Sequence, residues 1–456
     1  MIDAAPLAMF LTTFIALIAG YPVALTLAGV ALIFALIGTV FGIFNPSDLG
    51  FAAGRLFGLV TNQTLIAIPL FVFMGVTLEK TKIAESLLSD LSSLFGRSRS
   101  GLAATVILVG ALMAASTGIV GATVVTMSLM ALPVMLKAGY DARLATGTIS
   151  ATGTLGQIIP PSIALVLLGD VLSNAYQQAQ LNQGIFAPKS VSVGDLFAGA
   201  IVPGLCLVIL YLLYVYTNIL LSKNKIDSQR ASDQKFNVFS LFASLAPPLL
   251  LIFAVLGSII LGYATPTEAA GIGAAGAILI GIATKRLEFS TIKAISESTL
   301  STTGMVFFIL IGASIFSLVF RGFGGDEQIQ GFFDAMPGGV TTALVVVMVV
   351  IFLLGFILDF IEITFVVVPI VGPVLLAMGV DPIWLGVVIA INLQTSFLTP
   401  PFGFALFYLR GVAPSSIETK DIYLGALPFV GLQILILILL FIYPSIATWL
   451  PARLYG

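Results

Sequence analysis

The sequence predicts an all-α polytopic membrane protein, built as inverted structural repeats with about ten spans, two of them broken, and two re-entrant helical hairpins. Three observations carry that prediction. Hydrophobic residues make up 59% of the 456 and charged residues 9%, where a soluble globular chain carries roughly a quarter charged residues. Mean hydropathy is +1.14. Apolar windows of about 20 residues, the length that crosses the hydrocarbon of a bilayer, recur from end to end. Finally, one short segment and one double proline each occur twice at the same spacing.

The windows fall at about 4–20, 22–42, 59–79, 142–172, 195–221, 239–261, 267–284, 299–321, 382–412 and 422–449. The first, within "MIDAAPLAMFLTTFIALIAGYP", lacks the basic flank of a signal peptide and reads as a span. Two longer stretches, 101–139 and 339–379, behave differently. At 1.5 Å per residue each could make two thin spans or one hairpin that enters and leaves on the same side. Gly, Ser and Thr interrupt the first near its middle, and an acidic pair interrupts the second. A hairpin with a polar tip fits better, because non-helical backbone at membrane depth is tolerated where it lines a cavity. The runs 81–98 and 284–298 read as amphipathic interfacial helices that brace a moving part. A cytoplasmic linker, 222–238, separates a first repeat (1–221) from a second (239–456).

Positive charge fixes sidedness. With both hairpins re-entrant, 15 of the 19 Lys and Arg residues fall on one side, and only Arg55, Lys189, Arg321 and Arg453 on the other. The Lys/Arg-rich side is cytoplasmic, which puts both termini and the loop "GGDEQIQGFFDAMPGG" outside. Counting each hairpin as two spans leaves this assignment unchanged.

"PVMLKAGYD" (133–141) and "PVLLAMGVD" (373–381) share five of nine positions at an offset of 240 residues. Carried forward without a gap, the offset lays Pro160-Pro161 on Pro400-Pro401 and one hairpin on the other. The hairpins enter from opposite sides, so the halves are inverted repeats. Proline removes a backbone donor and breaks a helix. Inverted repeats with breaks at matching positions point to the binding site of a secondary transporter, against the plainer reading of two proline kinks. The residues around the breaks suit a hard cation. In the first half Ser116, Thr117, Thr152 and Thr154 offer hydroxyls, and Gly118, Gly153 and Gly156 expose carbonyls. In the second, Asp359 and Glu362 are carboxylates in an apolar segment, and Asn392, Thr395, Ser396 and Thr399 add neutral oxygens. All are oxygen donors, which excludes a soft metal. Asp359 and Glu362 also fit a structural role, capping a hairpin helix.

Other classes are excluded or disfavoured. A net charge of −2 gives no reason to expect nucleic acid. With no histidine and one cysteine, Cys206, there is no His-based triad and no disulfide framework. No phosphate-binding loop is present, so ATP is not the direct energy source. No nucleophile–base pair occupies a membrane-buried position, so an enzyme is not expected, and no cofactor is expected beyond coupling ions.

The segments "GTLGQIIPPSIALVLLGD", "TPTEAAG" (265–271), "LDFIEI" (358–363) and "NLQTSFLTPPFGFALFYL" (392–409) together resemble, over essentially the whole length, the large membrane subunit of a tripartite ATP-independent periplasmic (TRAP) transporter. The resemblance implies an elevator-type carrier of the ion-transporter superfamily in the bacterial inner membrane. It implies two partners besides the bilayer: a four-helix small membrane subunit and a periplasmic substrate-binding protein that delivers an organic acid. It also implies Na⁺ as coupling ion, held by Ser116, Thr117, Gly118, Thr152, Gly153 and Thr154 in one half and by Asp359, Asn392, Thr395 and Thr399 in the other. Composition alone leaves Na⁺ and H⁺ equally open. A stand-alone sodium–carboxylate symporter or exchanger would share these features, and so in part would a channel. Segment 171–194 reads as a long external loop, either a contact for the binding protein or a solvated insertion. Neither hairpin tip nor either break contains Lys or Arg, so an anion there meets no arginine clamp.

Overall fold

The computed structural model describes residues 4–95, 100–118, 120–221 and 238–455, and these are helical throughout, with no strand. The linker expected at 222–238 lies, but for its last residue, outside the described residues. In chain order, α1 (Ala5–Ile18) and α2 (Val23–Val40) are joined through Gly20 and Pro22. Helix α3 (Ala52–Thr61) ends at Asn62, whose side chain accepts the Thr64 N–H at 2.9 Å and so opens α4 (Gln63–Lys80). After α5 (Ile83–Phe95) come α6 (Gly101–Thr117) and α7 (Val120–Lys137), the two arms of the first hairpin. Asp141 caps α8 (Ala142–Thr154) by accepting the Arg143 N–H at 2.8 Å. A single 3₁₀ turn, Leu155–Gln157, leads through Pro160-Pro161 to α9 (Ile163–Asn182).

Next come α10 (Val193–Leu221), α11 (Val238–Ile260) and α12 (Pro266–Ala283). Thr265 and Glu268 form a capping box at the start of α12, the arrangement that satisfies two free N–H groups at once. Helix α13 (Phe289–Gly322) is followed by the short α14 (Gly325–Asp334). The second hairpin is α15 (Gly339–Leu354), then α16 (Phe360–Val366) and α17 (Val368–Ala377), with a 56° bend between the last two. Then come α18 (Pro382–Leu398), the Pro400-Pro401 break, α19 (Phe404–Val412), α20 (Thr419–Ile442) and α21 (Ser445–Tyr455). The order hairpin, helix, double proline, helix thus occurs twice along the chain.

Four details differ from the sequence reading. Among the described residues seven helices are long and apolar enough to cross a membrane singly, or eight with the bent pair; shorter helices such as the 14-residue α1 cover the other expected spans. The run 284–298 makes no separate arm, because nothing breaks the helix after Phe289 and α13 continues for 34 residues. At 1.5 Å per residue that is about 51 Å, well beyond the ~30 Å hydrocarbon. Segment 171–194 is mostly helix: α9 runs to Asn182, and the remainder is tied back by Gln180, which exchanges hydrogen bonds of 2.9 Å with the Lys189 N–H and C=O. The last span bends at Tyr443-Pro444, which divides α20 from α21.

The chain forms two compact units. The first comprises Met1–Ile66, Leu167–Ser192 and Ser301–Gly386. In it α13 crosses α2 so closely that a side chain at Gly312 would strike the Ala24 carbonyl. Phe44 and Phe323 pack with ring centroids 5.0 Å apart. The second comprises Ala67–Val166, Val193–Leu300 and Val387–Gly456. Its centre is α8, buried from Leu144 to Thr154 and enclosed by α6, α7 and α20. Helices α8 and α20 meet backbone to backbone: a Cβ on Gly147 would strike the Gly425 carbonyl, and one on Gly425 the Arg143 carbonyl. In α12, Gly273 makes room for Met74 and Val255, and Gly276 for Leu251.

Candidate cation site and the helix breaks

In the second unit the tip of the first hairpin sits on the first break. Gly118 ends α6 with φ +62° and donates its N–H to the Ala114 carbonyl at 3.0 Å. That left-handed geometry favours glycine, and a Cβ there would also lie 3.2 Å from the Ile163 nitrogen, the first residue of α9. Gly156, in the turn before the double proline, faces Ala114 with room for no more than a tight Cβ contact. Gly110 packs on Thr152, and Gly153 on Val124 of α7. The hairpin arms therefore hold the end of α8, the turn and the start of α9 together. The side chains of Ser116 and Thr117 lie outside the described residues.

Thr152 and Thr154 are fully buried. Thr152 Oγ1 donates to the Thr148 carbonyl at 2.6 Å and Thr154 Oγ1 to the Ala151 carbonyl at 2.8 Å. Each hydroxyl so gives its proton to its own helix and can only accept from elsewhere; on Thr154 the oxygen already meets two buried amides. Pro160 and Pro161 are buried too, as is Gln157, whose Oε1 has no hydrogen-bond partner among the described residues. Around the second break, Thr395 donates to the Ile391 carbonyl and Thr399 to the Thr395 carbonyl, both at 2.7 Å. Asn392 and Thr395 are buried, Thr399 and Pro400 are half-buried, and Pro401 is exposed. A Cβ on Gly403 would lie 2.6 Å from the Phe397 carbonyl, so the chain can fold back on α18 at this point. Both double-proline bonds are cis.

Asp359 and Glu362 belong to the first unit and cap α16. The Asp359 side chain accepts the Phe360 N–H at 2.7 Å, and Glu362 Oε2 accepts the Asp359 N–H at 3.0 Å. The reciprocal pair is a capping box. It satisfies donors that would otherwise be orphaned at a helix start, so the structural role is filled. The carboxylate lone pairs that the cap leaves free are all that Asp359 can offer an ion. Glu362 is buried against Phe10, Thr13, Phe316 and Val366.

Sequence reasoning passed over a network that ties the two breaks. Gln394 Nε2 donates to Thr154 Oγ1 at 3.3 Å, and the two residues stand 240 apart, the repeat offset. Gln433 Nε2 reaches the same oxygen at 3.5 Å and donates to the Tyr211 hydroxyl at 2.8 Å. Thr154, Gln394, Gln433 and Tyr211 are all fully buried. Gln433 could have been noticed as a lone amide in "GLQILILILL", since an intramembrane polar residue is a functional candidate by default.

Comparison with known proteins agrees with this architecture. The chain is 29% identical to the large permease protein of a C4-dicarboxylate TRAP transporter of Vibrio cholerae, covering 96% of each chain. It is 27% identical to the large permease protein of the sialic acid TRAP transporter of the same organism, over 96% of this chain and 97% of that one. An ectoine TRAP large permease of Halomonas elongata is 26% identical over 85% and 86% of the two chains. Among solved structures, the YdaH transporter of Alcanivorax borkumensis shares the fold with a TM-score of 0.65 at 16% identity, over 88% of this chain and 90% of that one. Residues 10–446 match the model of the DctM component of tripartite ATP-independent periplasmic transporters, and the chain belongs to that family.

Proposed function

We propose that this chain is the carrier subunit of a Na⁺-coupled uptake system for an organic acid, loaded by a periplasmic binding protein and working by an elevator movement. The observation that carries the cation coupling is the seating of Gly118 against the start of α9, beside the buried hydroxyls of Thr152 and Thr154. Gly118, Thr152, Gly153 and Thr154, with Ser116 and Thr117, form the first proposed Na⁺ site. Asn392, Thr395 and Thr399 form the second, and Asp359, oriented by Glu362 as its capping partner, is a further proposed cation ligand. The inverted-repeat assignment and the external termini are part of the same proposal, supported by the two double prolines and the charge asymmetry. A four-helix small subunit completes the membrane complex.

The cargo class follows from shared chemistry. C4-dicarboxylates, sialic acid and ectoine, carried by the relatives, all bear a carboxylate. A divalent acid entering a negative interior works against about 4.6 kcal/mol per 100 mV, since each charge is worth about 2.3. At least two cations must accompany it merely to cancel that cost, which suits a pair of oxygen-lined sites. The test is uptake of labelled acids into vesicles holding the large and small subunits, with Na⁺ or choline and with or without binding protein. Uptake should require both Na⁺ and binding protein. Uptake without binding protein would instead make the chain a stand-alone symporter, and equal rates in choline would remove Na⁺ coupling.

A further inference from the structure

The first unit contains a cavity of about 520 Å³ that none of these roles uses. This volume lies in the range of small-molecule sites. Three parts of the chain distant in sequence build it: the face of α3 and its cap bearing Arg55 and Asn62, the Arg321 end of α13, and one face of α9. On α9, Asp170, Asn174 and Gln178 recur every four residues, which stacks them along one side of the helix. Phe365, Pro369 and Pro373 of the second hairpin add an apolar wall.

The polar groups are unequally matched. Arg321 Nε lies 3.2 Å from Asp326 Oδ2, and its Nη2 donates to Gln178 Oε1 at 3.1 Å. Asn62 Nδ2 donates to Asp170 Oδ1 at 3.0 Å, and Asn174 Nδ2 to the Asp170 carbonyl at 2.9 Å. Arg55, half-buried, makes no hydrogen bond or ion pair with any described residue. Its nearest charges are Arg321, which repels it, and Asp326, already paired with Arg321. A half-buried guanidinium whose five donors meet no protein acceptor is open to an anion, and its fork matches a carboxylate in two places at once.

We propose that this cavity binds a small organic acid, its carboxylate held by Arg55 at the Arg321 end and a second polar group of the acid met by Asp170 and the neighbouring amides. Asp170 adds an acceptor, which favours an acid that also carries a hydroxyl or N–H. The cargo assignment made above is the basis for the choice of ligand.

The test is thiol protection in the full-length chain, co-expressed with the small membrane subunit in spheroplasts. Cys206→Ala removes the natural thiol, and Gly58→Cys places one in the cavity wall, where a Cβ meets nothing within 4 Å. The rate of N-ethylmaleimide labelling is measured with and without malate, N-acetylneuraminate or ectoine, with glycerol as a neutral control. At ten times Kd the free fraction, and so the rate, should fall about tenfold. Glycerol should have no effect. Adding Arg55→Gln should abolish the protection, each variant's rate being taken relative to its own ligand-free rate, and Arg55→Lys should restore part of it. Unchanged labelling in all three acids overturns the site, as does protection that survives Arg55→Gln. Uptake of the same acids, measured in parallel, reports separately on the organic-acid assignment, which can stand when the cavity fails.

Discussion

Replacing Asp359 separates a cap from an ion ligand. As a cap, its side chain accepts the Phe360 N–H at 2.7 Å; Ser can do the same and Ala cannot. Loss of an N-cap costs about 1 kcal/mol, within a range of roughly 0.5–2. In K⁺, therefore, Asp359→Ser should unfold within about 0.5 kcal/mol of the parent, and Asp359→Ala about 1 kcal/mol below it. As a ligand, Asp359 acts only when Na⁺ is present. A cation that binds only the folded state adds RT ln(1 + [L]/Kd), about 2.7 kcal/mol at a hundredfold excess. If losing the carboxylate weakens Kd tenfold, the increment falls to about 1.4 kcal/mol. The assay is equilibrium unfolding in mixed micelles, in Na⁺ and in K⁺ at equal ionic strength. The expected signature is Asp359→Ser matching the parent in K⁺ and falling short of it in Na⁺ by about 1.3 kcal/mol. A full Na⁺ increment in Asp359→Ser would refute the ligand role and leave Asp359 a cap.

Three further predictions concern the second unit. Gly147→Ala and Gly425→Ala should each destabilise by about 1–3 kcal/mol through overpacking, partly offset by up to ~1 kcal/mol of helix propensity. The double mutant should cost less than the sum, because one separation of α8 from α20 accommodates both; Gly431→Ala, whose Cβ meets nothing within 4 Å, is the matched control in denaturation. Tyr211→Phe removes the acceptor 2.8 Å from Gln433 Nε2, and should lower the unfolding free energy by about 1–3 kcal/mol, since both groups are buried. Arg286→Lys replaces a fork that donates to the Thr81 and Lys82 carbonyls at 2.9 and 2.8 Å and to Ser86 Oγ at 2.8 Å. A single ammonium cannot reproduce that planar geometry, so protease nicking near 81–86 should accelerate.

What could be read from the sequence depended on how local each signal was. Apolar windows mark helices because lipid demands apolar side chains over a fixed length. Pro160-Pro161 and Pro400-Pro401 mark breaks because proline acts on its own turn. The run 284–298 misled because its polar residues suggested an interface: 284–288 turn the chain, with Lys285 at positive φ, but from Phe289 onward nothing stops the helix. Segment 171–182 misled in the same way: Gln and Asn look like loop, yet α9 continues through them as one helix. The Gln394–Thr154 contact and the Arg55 cavity were illegible for another reason. Each joins residues more than a hundred positions apart, and pairing at that distance is written in the fold alone.

The choice of neutral oxygens around the first break has a physical logic that bears on turnover. A carrier must release its ion as readily as it takes it. A charged ligand inside the membrane costs about 2.5–3.5 kcal/mol when unpaired, so an empty site built from carboxylates would hold its ion tightly or collapse. Thr152 and Thr154 avoid this: their protons stay on the Thr148 and Ala151 carbonyls whether or not an ion is present. Neither hydroxyl then has a donated hydrogen bond to remake when an ion leaves. Gln157 Oε1, Thr148 Oγ1 and Ser150 Oγ are buried without a hydrogen-bond partner among the described residues, which costs about 1–3 kcal/mol for such a group. Replacing Gln157 by Leu should therefore stabilise the ion-free protein relative to the parent and reduce the Na⁺ increment. A Gln157→Leu variant less stable in K⁺ and unchanged in its Na⁺ response would show that this amide serves packing rather than the ion.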